Sequence, residues 1–126
     1  MTEKNKDLVA RFLREARSGV NPSAAGEYMA PLVKANQVVS EDNEVVFRSP
    51  DEYSQHVMAM KEEYGDFRFS IDELFSDGDK VYARWTQIGR GIREVASCVY
   101  RIEDDRIAEY WIQIDRLGLQ IQKDRT

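Results

Sequence analysis

Asp115 closes the run Glu109-Tyr110-Trp111-Ile112-Gln113-Ile114-Asp115, the last strongly apolar stretch of the chain. A carboxylate set among Ile, Trp and Leu loses hydration, and that loss raises its pKa toward neutrality. Such a group can give or take a proton near pH 7. His56 stands beside a helical seam of Tyr53, Val57, Met60 and Tyr64, where it is either a packed helix residue or a group that reaches a pocket. Cys98 is the only cysteine and reads as a small buried residue. One His and one Cys make no zinc-type ligand set. Glu41-Asp42-Asn43-Glu44 and Asp77-Gly78-Asp79 lack calcium-loop spacing and read as solvated turns. No metal and no cofactor are expected.

The elements that must position these groups fit within 126 residues, a length that suits one domain over 1–126 with its own core. The net charge is −5 and the basic residues form no stripe, which argues against nucleic acid or an anionic membrane as partner. The start, MTEKNKD, lacks the apolar segment of a secretory signal. No apolar run approaches the ~20 residues of a spanning helix. A lone cysteine forms no intrachain disulfide. A soluble cytoplasmic protein is expected.

Leu8, Val9, Phe12, Leu13 and Ala16 predict a helix over 5–18, stopped by Gly19. Asn21-Pro22 opens a short second helix toward Tyr28, and Leu32 to Val39 reads as a short strand. Ser49-Pro50-Asp51-Glu52 is a capping box with Pro at the first helical position. Beyond Gly65 the period changes to two, with Phe67, Phe69 and Ile71 alternating with Arg68, Ser70 and Asp72. Strands follow at about 80–88, 93–102 and 107–115, separated by Gly89-Arg90-Gly91 and Glu103-Asp104-Asp105-Arg106. The fold class is α+β, with N-terminal helices packed on one face of a curved antiparallel sheet.

Alternation on the last strand puts Glu109, Trp111, Gln113 and Asp115 on one face and Ala108, Tyr110, Ile112 and Ile114 on the other. Period alone leaves two arrangements open. The mixed face can line a cavity under the helices, with the apolar face against a second subunit. Alternatively the mixed face meets solvent and the apolar face meets the helices.

The order of elements, with Val81 to Thr86, Tyr100-Arg101-Ile102-Glu103-Asp104-Asp105-Arg106-Ile107, Glu109-Tyr110-Trp111 and Asp115, resembles the SnoaL-like polyketide cyclase family. That family belongs to the nuclear-transport-factor-2-like superfamily of cone-shaped α+β domains. The resemblance covers almost the whole chain. It implies a homodimer through the outer sheet face and a small-molecule pocket between the helices and the inner face. It places Glu109, Trp111, Gln113 and Asp115 on the pocket side, with Tyr110, Ile112 and Ile114 at a subunit contact. By the same resemblance Asp115 is similar to the general acid/base of an aldol ring closure. In the related limonene-epoxide hydrolases an Arg and a second Asp assist; the corresponding residues here are Arg84 and Thr86, so the second carboxylate is absent. Asn36 matches an Asn that holds water in those hydrolases, with Lys34 at the place of a Tyr. The strand Ala96 to Tyr100 lacks the His that cyclases carry, and the turn Ile88 to Ile92 is shorter than family members have.

Two functions from different classes are therefore expected. One is a cyclase-, isomerase- or hydrolase-type enzyme using Asp115, with Arg84 and Asn36 orienting substrate or water. The pocket wall would comprise Trp111, Gln113, Glu109, His56, Tyr53 and Tyr28. The other is a non-catalytic binding or interaction module on the same scaffold.

Overall fold

A computed structural model describes residues 2–42 and 44–125; Asn43, within the acidic stretch read above as a turn, lies outside them. Helix α1 (Thr2–Phe12) runs on into a single π-helical turn, Leu13–Arg17. Val9, Phe12, Leu13 and Ala16 are fully buried along one side. The wider π turn brings Arg17 onto that buried side next to Leu13 and Ala16. Gly19, at φ +86°, ends the segment. A short 3-10 helix (Pro22–Glu27) leads into β1 (Met29–Gln37) and β2 (Glu44–Arg48).

The capping box forms as the sequence predicts. The Ser49 hydroxyl accepts from the Glu52 amide at 3.2 Å, and the Ser49 amide donates to Glu52 Oε1 at 2.8 Å. It starts α2 (Pro50–Tyr64), which buries Tyr53, Val57 and Tyr64. Four strands follow: β3 (Arg68–Asp77), β4 (Lys80–Gly89), β5 (Ile92–Glu103) and β6 (Arg106–Ile114). The chain then enters α3 (Arg116–Asp124). No helix among the described residues is long and apolar enough to cross a membrane.

The sheet order is β2-β1-β6-β5-β4-β3. β3 to β6 form the expected antiparallel meander, but β1 lies parallel to β6, so the sheet is mixed. Register shifts fall between Met29 and Lys34, between Ile71 and Glu73, and between Arg101 and Ile102. Such irregularities bend strands and raise the local twist, which curves the sheet around its helices. The core lies on the concave side. There Val81, Ala83 and Trp85 of β4 and Ala96, Cys98 and Tyr100 of β5 pack with Phe12, Leu13, Tyr53 and Val57.

This packing decides between the two faces of β6. Tyr110 is buried, and Ile112 and Ile114 pack against the core. They stand opposite Tyr100, Cys98 and Ala96 of β5, which are themselves buried. Glu109, Trp111 and Gln113 therefore lie on the outer face, opposite to the expectation drawn from the resemblance. Tyr110, Ile112 and Ile114 are turned away from any subunit contact on that face. A sheet covered on one side by helices buries its more apolar face there, because apolar area removed from water stabilises at ~25 cal/mol per Å².

The short β4–β5 connection is a two-residue hairpin. Arg90 (φ +50°) and Gly91 (φ +78°) both take the left-handed conformation that a tight hairpin of this twist requires. The Arg90 side chain donates to the Glu62 and Glu63 carbonyls at 2.9 and 3.1 Å, satisfying the last turn of α2. The hairpin is pressed so close that a Cβ on Gly89 would meet the Tyr64 carbonyl oxygen at 2.3 Å. Gly89→Ala is expected to destabilise by about 1–3 kcal/mol through overpacking against backbone. Gly26→Ala serves as control, since a Cβ there would meet nothing nearer than Pro50 at 3.9 Å. Chemical denaturation of both variants checks this; equal midpoints would show that the hairpin is not wedged against α2.

Candidate functional site

The concave face and the helices enclose a cavity of about 140 Å³. Its floor comes from the inner faces of β1, β5 and β6, through Ala35, Tyr100, Tyr110, Ile112 and Ile114. Helix α2 contributes Tyr53, His56 and Met60, four- and three-residue steps that keep them on one side of a helix. Strand β2 contributes Glu44, Val46 and Arg48, alternate residues that share a face by the strand period. Arg17 and Glu94 line it as well.

Arg17 and Glu94 are almost wholly buried, at 4% and 6% exposure. Arg17 donates to Glu94 Oε2 at 3.2 Å and to Gln87 Oε1 at 2.8 Å. Gln87 and Glu94 are cross-strand partners at inward positions of β4 and β5, so together they present acceptors to the guanidinium above. The Arg17 guanidinium carbon also lies 5.4 Å from the ring centres of Phe69 and Trp85 and 6.0 Å from that of Phe67. Rings at this range attract a cation through their quadrupoles. Trp85 Nε1 is, among the described residues, the buried side-chain polar atom left without a partner.

The phenols around the cavity form a ring cluster. Tyr53 and Tyr110 centres lie 6.3 Å apart, and Tyr100 and Tyr110 centres 5.9 Å apart. Burial pushes the Tyr110 hydroxyl up to about 12, with Arg48 beside it pulling the other way. Burial also raises the Tyr53 and Tyr100 hydroxyls well above the ordinary phenol value. All three therefore stay protonated at neutral pH and can donate hydrogen bonds. His56 sits at the rim, exposed on one side. Partial burial, followed by the positive charges of Arg48 and Arg17, lowers its pKa, so the imidazole is neutral at pH 7. Cys98 lies buried below, and burial raises its thiol well above the usual range, which makes it an inert packing group.

The residues read from the sequence divide between the two sides of the sheet. His56 and Tyr53 line the cavity. Asn36 lies at its edge, but its amide nitrogen donates to Glu109 Oε2 and to the Tyr110 carbonyl, both at 3.0 Å. Glu109 is on the outer face, where it accepts from Arg101 at 3.1 Å and lies 3.9 Å from Lys34. Trp111 and Gln113 share that face and do not line the cavity. Arg84 is also outside, 3.9 Å from Asp72 and 3.6 Å from Glu73, while the Thr86 hydroxyl donates to Asp72 at 2.6 Å. Tyr28 is a core residue whose hydroxyl donates to Glu15.

Asp115 is the principal correction. It is exposed, lies beyond the end of β6, and is the N-cap of α3. Its Oδ1 accepts from the Gly118 amide at 2.9 Å. The apolar surround on which its expected acid/base role depended is absent. Next to it, Arg116 donates to both oxygens of Glu41 at 2.7 and 3.1 Å, tying α3 to the segment after β1. That pairing holds the Glu41 carboxyl at about 2.

Sequence reasoning missed Arg17, Arg48, Glu94, Tyr100 and Tyr110 as cavity residues. A signal existed for Glu94: it continues the inward series Tyr100, Cys98, Ala96, just as Gln87 continues Val81, Ala83, Trp85. Two polar groups at the ends of apolar series on neighbouring strands call for a buried donor.

Residues 7–123 match the family described as SnoaL-like polyketide cyclase. No curated protein matches the chain. A candidate polyketide cyclase from Acidithiobacillus ferrooxidans is 26% identical over 98% of this chain and 96% of its own, with a TM-score of 0.77. A candidate ketosteroid isomerase from Kribbella flavida is 15% identical over 91% of this chain and 80% of its own, with a TM-score of 0.69. AclR, a candidate hydroxylase from Streptomyces galilaeus, is 16% identical over 100% of this chain and 99% of its own, with a TM-score of 0.79.

Two measurements test this description. Removing one member of the Arg17–Glu94 pair leaves the other charge buried, so Arg17→Met or Glu94→Gln is expected to cost about 3–5 kcal/mol. The double variant should cost less than the sum in a denaturation cycle; simple additivity would contradict the pairing. For Asp115, Ala should lose about 0.5–2 kcal/mol of cap stabilisation, whereas Asn should retain most of it. An Asn variant as unstable as the Ala variant would rule out the capping role.

Proposed function

Because this chain belongs to the SnoaL-like polyketide cyclase family, we propose that its cavity binds a small carbonyl compound and moves a proton at the carbon next to the carbonyl. The observation that carries this reading is the convergence of a neutral His56 with the protonated phenols of Tyr53 and Tyr110 on one cavity. A carbonyl oxygen gains negative charge when an adjacent C–H gives up its proton. Fixed O–H donors in a water-poor site stabilise that charge, an effect worth about 10²–10³ in rate per donor. A neutral imidazole with a lowered pKa is a competent acceptor for the proton. The same pair of roles serves enolisation, double-bond isomerisation and ring closure through an enol. The fold is compatible with cyclase and isomerase chemistry, and fold alone does not choose between them.

His56 replaces Asp115 as the proposed proton-transfer group, since it lines the cavity and Asp115 does not. Of the cavity carboxylates, Glu94 is held by Arg17 and Glu44 is exposed. A second reading, a non-catalytic binding module, is favoured by this lack of an available buried carboxylate and by the exposed position of Asp115.

Deuterium exchange into small cyclic ketones, followed by NMR, separates the two. Enzyme-dependent exchange should be lost as pH falls through the lowered His56 pKa, because protonated His56 cannot accept. It should be level across neutral pH. His56→Gln should reduce exchange about 10²–10⁴-fold with probe affinity little changed. Tyr110→Phe should reduce it about 10²-fold or more. Binding without exchange, or exchange indifferent to His56→Gln, would favour the binding module.

A further inference from the structure

The cavity carries two guanidinium groups, and they are not equivalent. Arg17 is engaged by Glu94 and Gln87. Arg48 has no carboxylate within 4.0 Å among the described residues. Glu52 feels its charge, but the Glu52 carboxylate is turned to the Ser49 amide at 2.8 Å in the capping box. Glu44 stands four residues back along β2, about 13 Å at the rise of an extended strand. Arg48 is nonetheless half-buried and lines the cavity.

Its neighbours give it a setting. The Tyr110 hydroxyl lies beside it, and His56 feels its charge. Val46, Ala35, Ile112 and Met60 give the same cavity an apolar portion of wall. A guanidinium partly withdrawn from water and lacking a counter-ion is suited to a planar anion, which it can hold through two parallel N–H donors. The enclosed space, about 140 Å³, is close to the ~150 Å³ of an apolar cavity that admits benzene.

We infer that the natural ligand is a small carboxylic acid with an apolar body about one ring in size, its carboxylate held by Arg48 and its body against Val46, Ile112 and Met60. This rests on the reading that the cavity binds a small molecule, and it adds the charge and the size of that molecule. It also sets a role for β2: Arg48 would fix which carbon of the ligand faces His56.

The test uses matched ring compounds on the full chain: benzoate and phenylacetate against benzamide and phenylacetamide, by calorimetry. Wild-type protein should bind the acids about 10- to 100-fold more tightly than the amides, the range of a charge-assisted hydrogen-bonded contact. Arg48→Gln should remove that preference by weakening the acids about 10- to 100-fold more than the amides, and Arg48→Lys should restore part of it. A thermal melt of each variant confirms folding. Amides binding as well as acids, or Arg48→Gln weakening both alike, would overturn the anion anchor while leaving the cavity reading intact. No binding of any acid, amide or neutral ketone would overturn both.

Discussion

A guanidinium buried under three aromatic rings imposes the strictest condition on this fold. Arg17 is removed from water, so its charge must be met by groups that are already in place. Glu94 and Gln87 meet it from adjacent strands, and Phe67, Phe69 and Trp85 surround it. The contact joins the π turn after α1 to the hairpin end of β4 and β5. The cavity lies on the same concave face, lined by Arg17 and Glu94 together with Tyr100, Tyr110 and the isoleucines of β6. The buried ion pair gives the cavity a polar wall.

The distribution of charge around that space follows from two different environments. Arg17 and Glu94 neutralise each other at one side. Arg48, on a short strand with exposed Val45 and Phe47 on its other face, has no such partner. Partial burial, followed by the field of Arg48 and that of Arg17, lowers the His56 pKa, and burial keeps the phenols protonated. The result is a cavity that offers donors and positive charge, with one neutral base at its rim. Proton abstraction next to a carbonyl, with charge gathering on oxygen, is the chemistry that such a wall assists.

Much of this was legible in the residues. The change from helical to two-residue period beyond Gly65, the capping box at Ser49 and the Asp-Gly turn at Gly78 marked α2 and the meander near their true limits. The sidedness of β6 was not, because alternation gives two faces and does not say which one is covered. The plain physical choice, apolar side to the helices, is what the chain adopts; the resemblance pointed to the other. Two elements were hidden by ambiguous pattern. Leu117, Leu119 and Ile121 alternate as a strand would, yet they follow Asp115 into α3, where its carboxylate caps the first turn. Val45-Val46-Phe47 was too short a run to distinguish from the loop around it. Arg17 was hidden because its partners are 70 and 77 residues away in sequence.

His56 is the only histidine in the chain, so its imidazole protons can be assigned in an NMR titration without mutation. If the base at the cavity rim is partly buried and repelled by Arg48 and Arg17, free protein should titrate at a pKa below 6.5, the ordinary histidine value. Adding benzoate, which would offset the Arg48 charge, should move that pKa upward, whereas benzamide should not. A pKa at or above 6.5 that neither compound moves would contradict the proposed site.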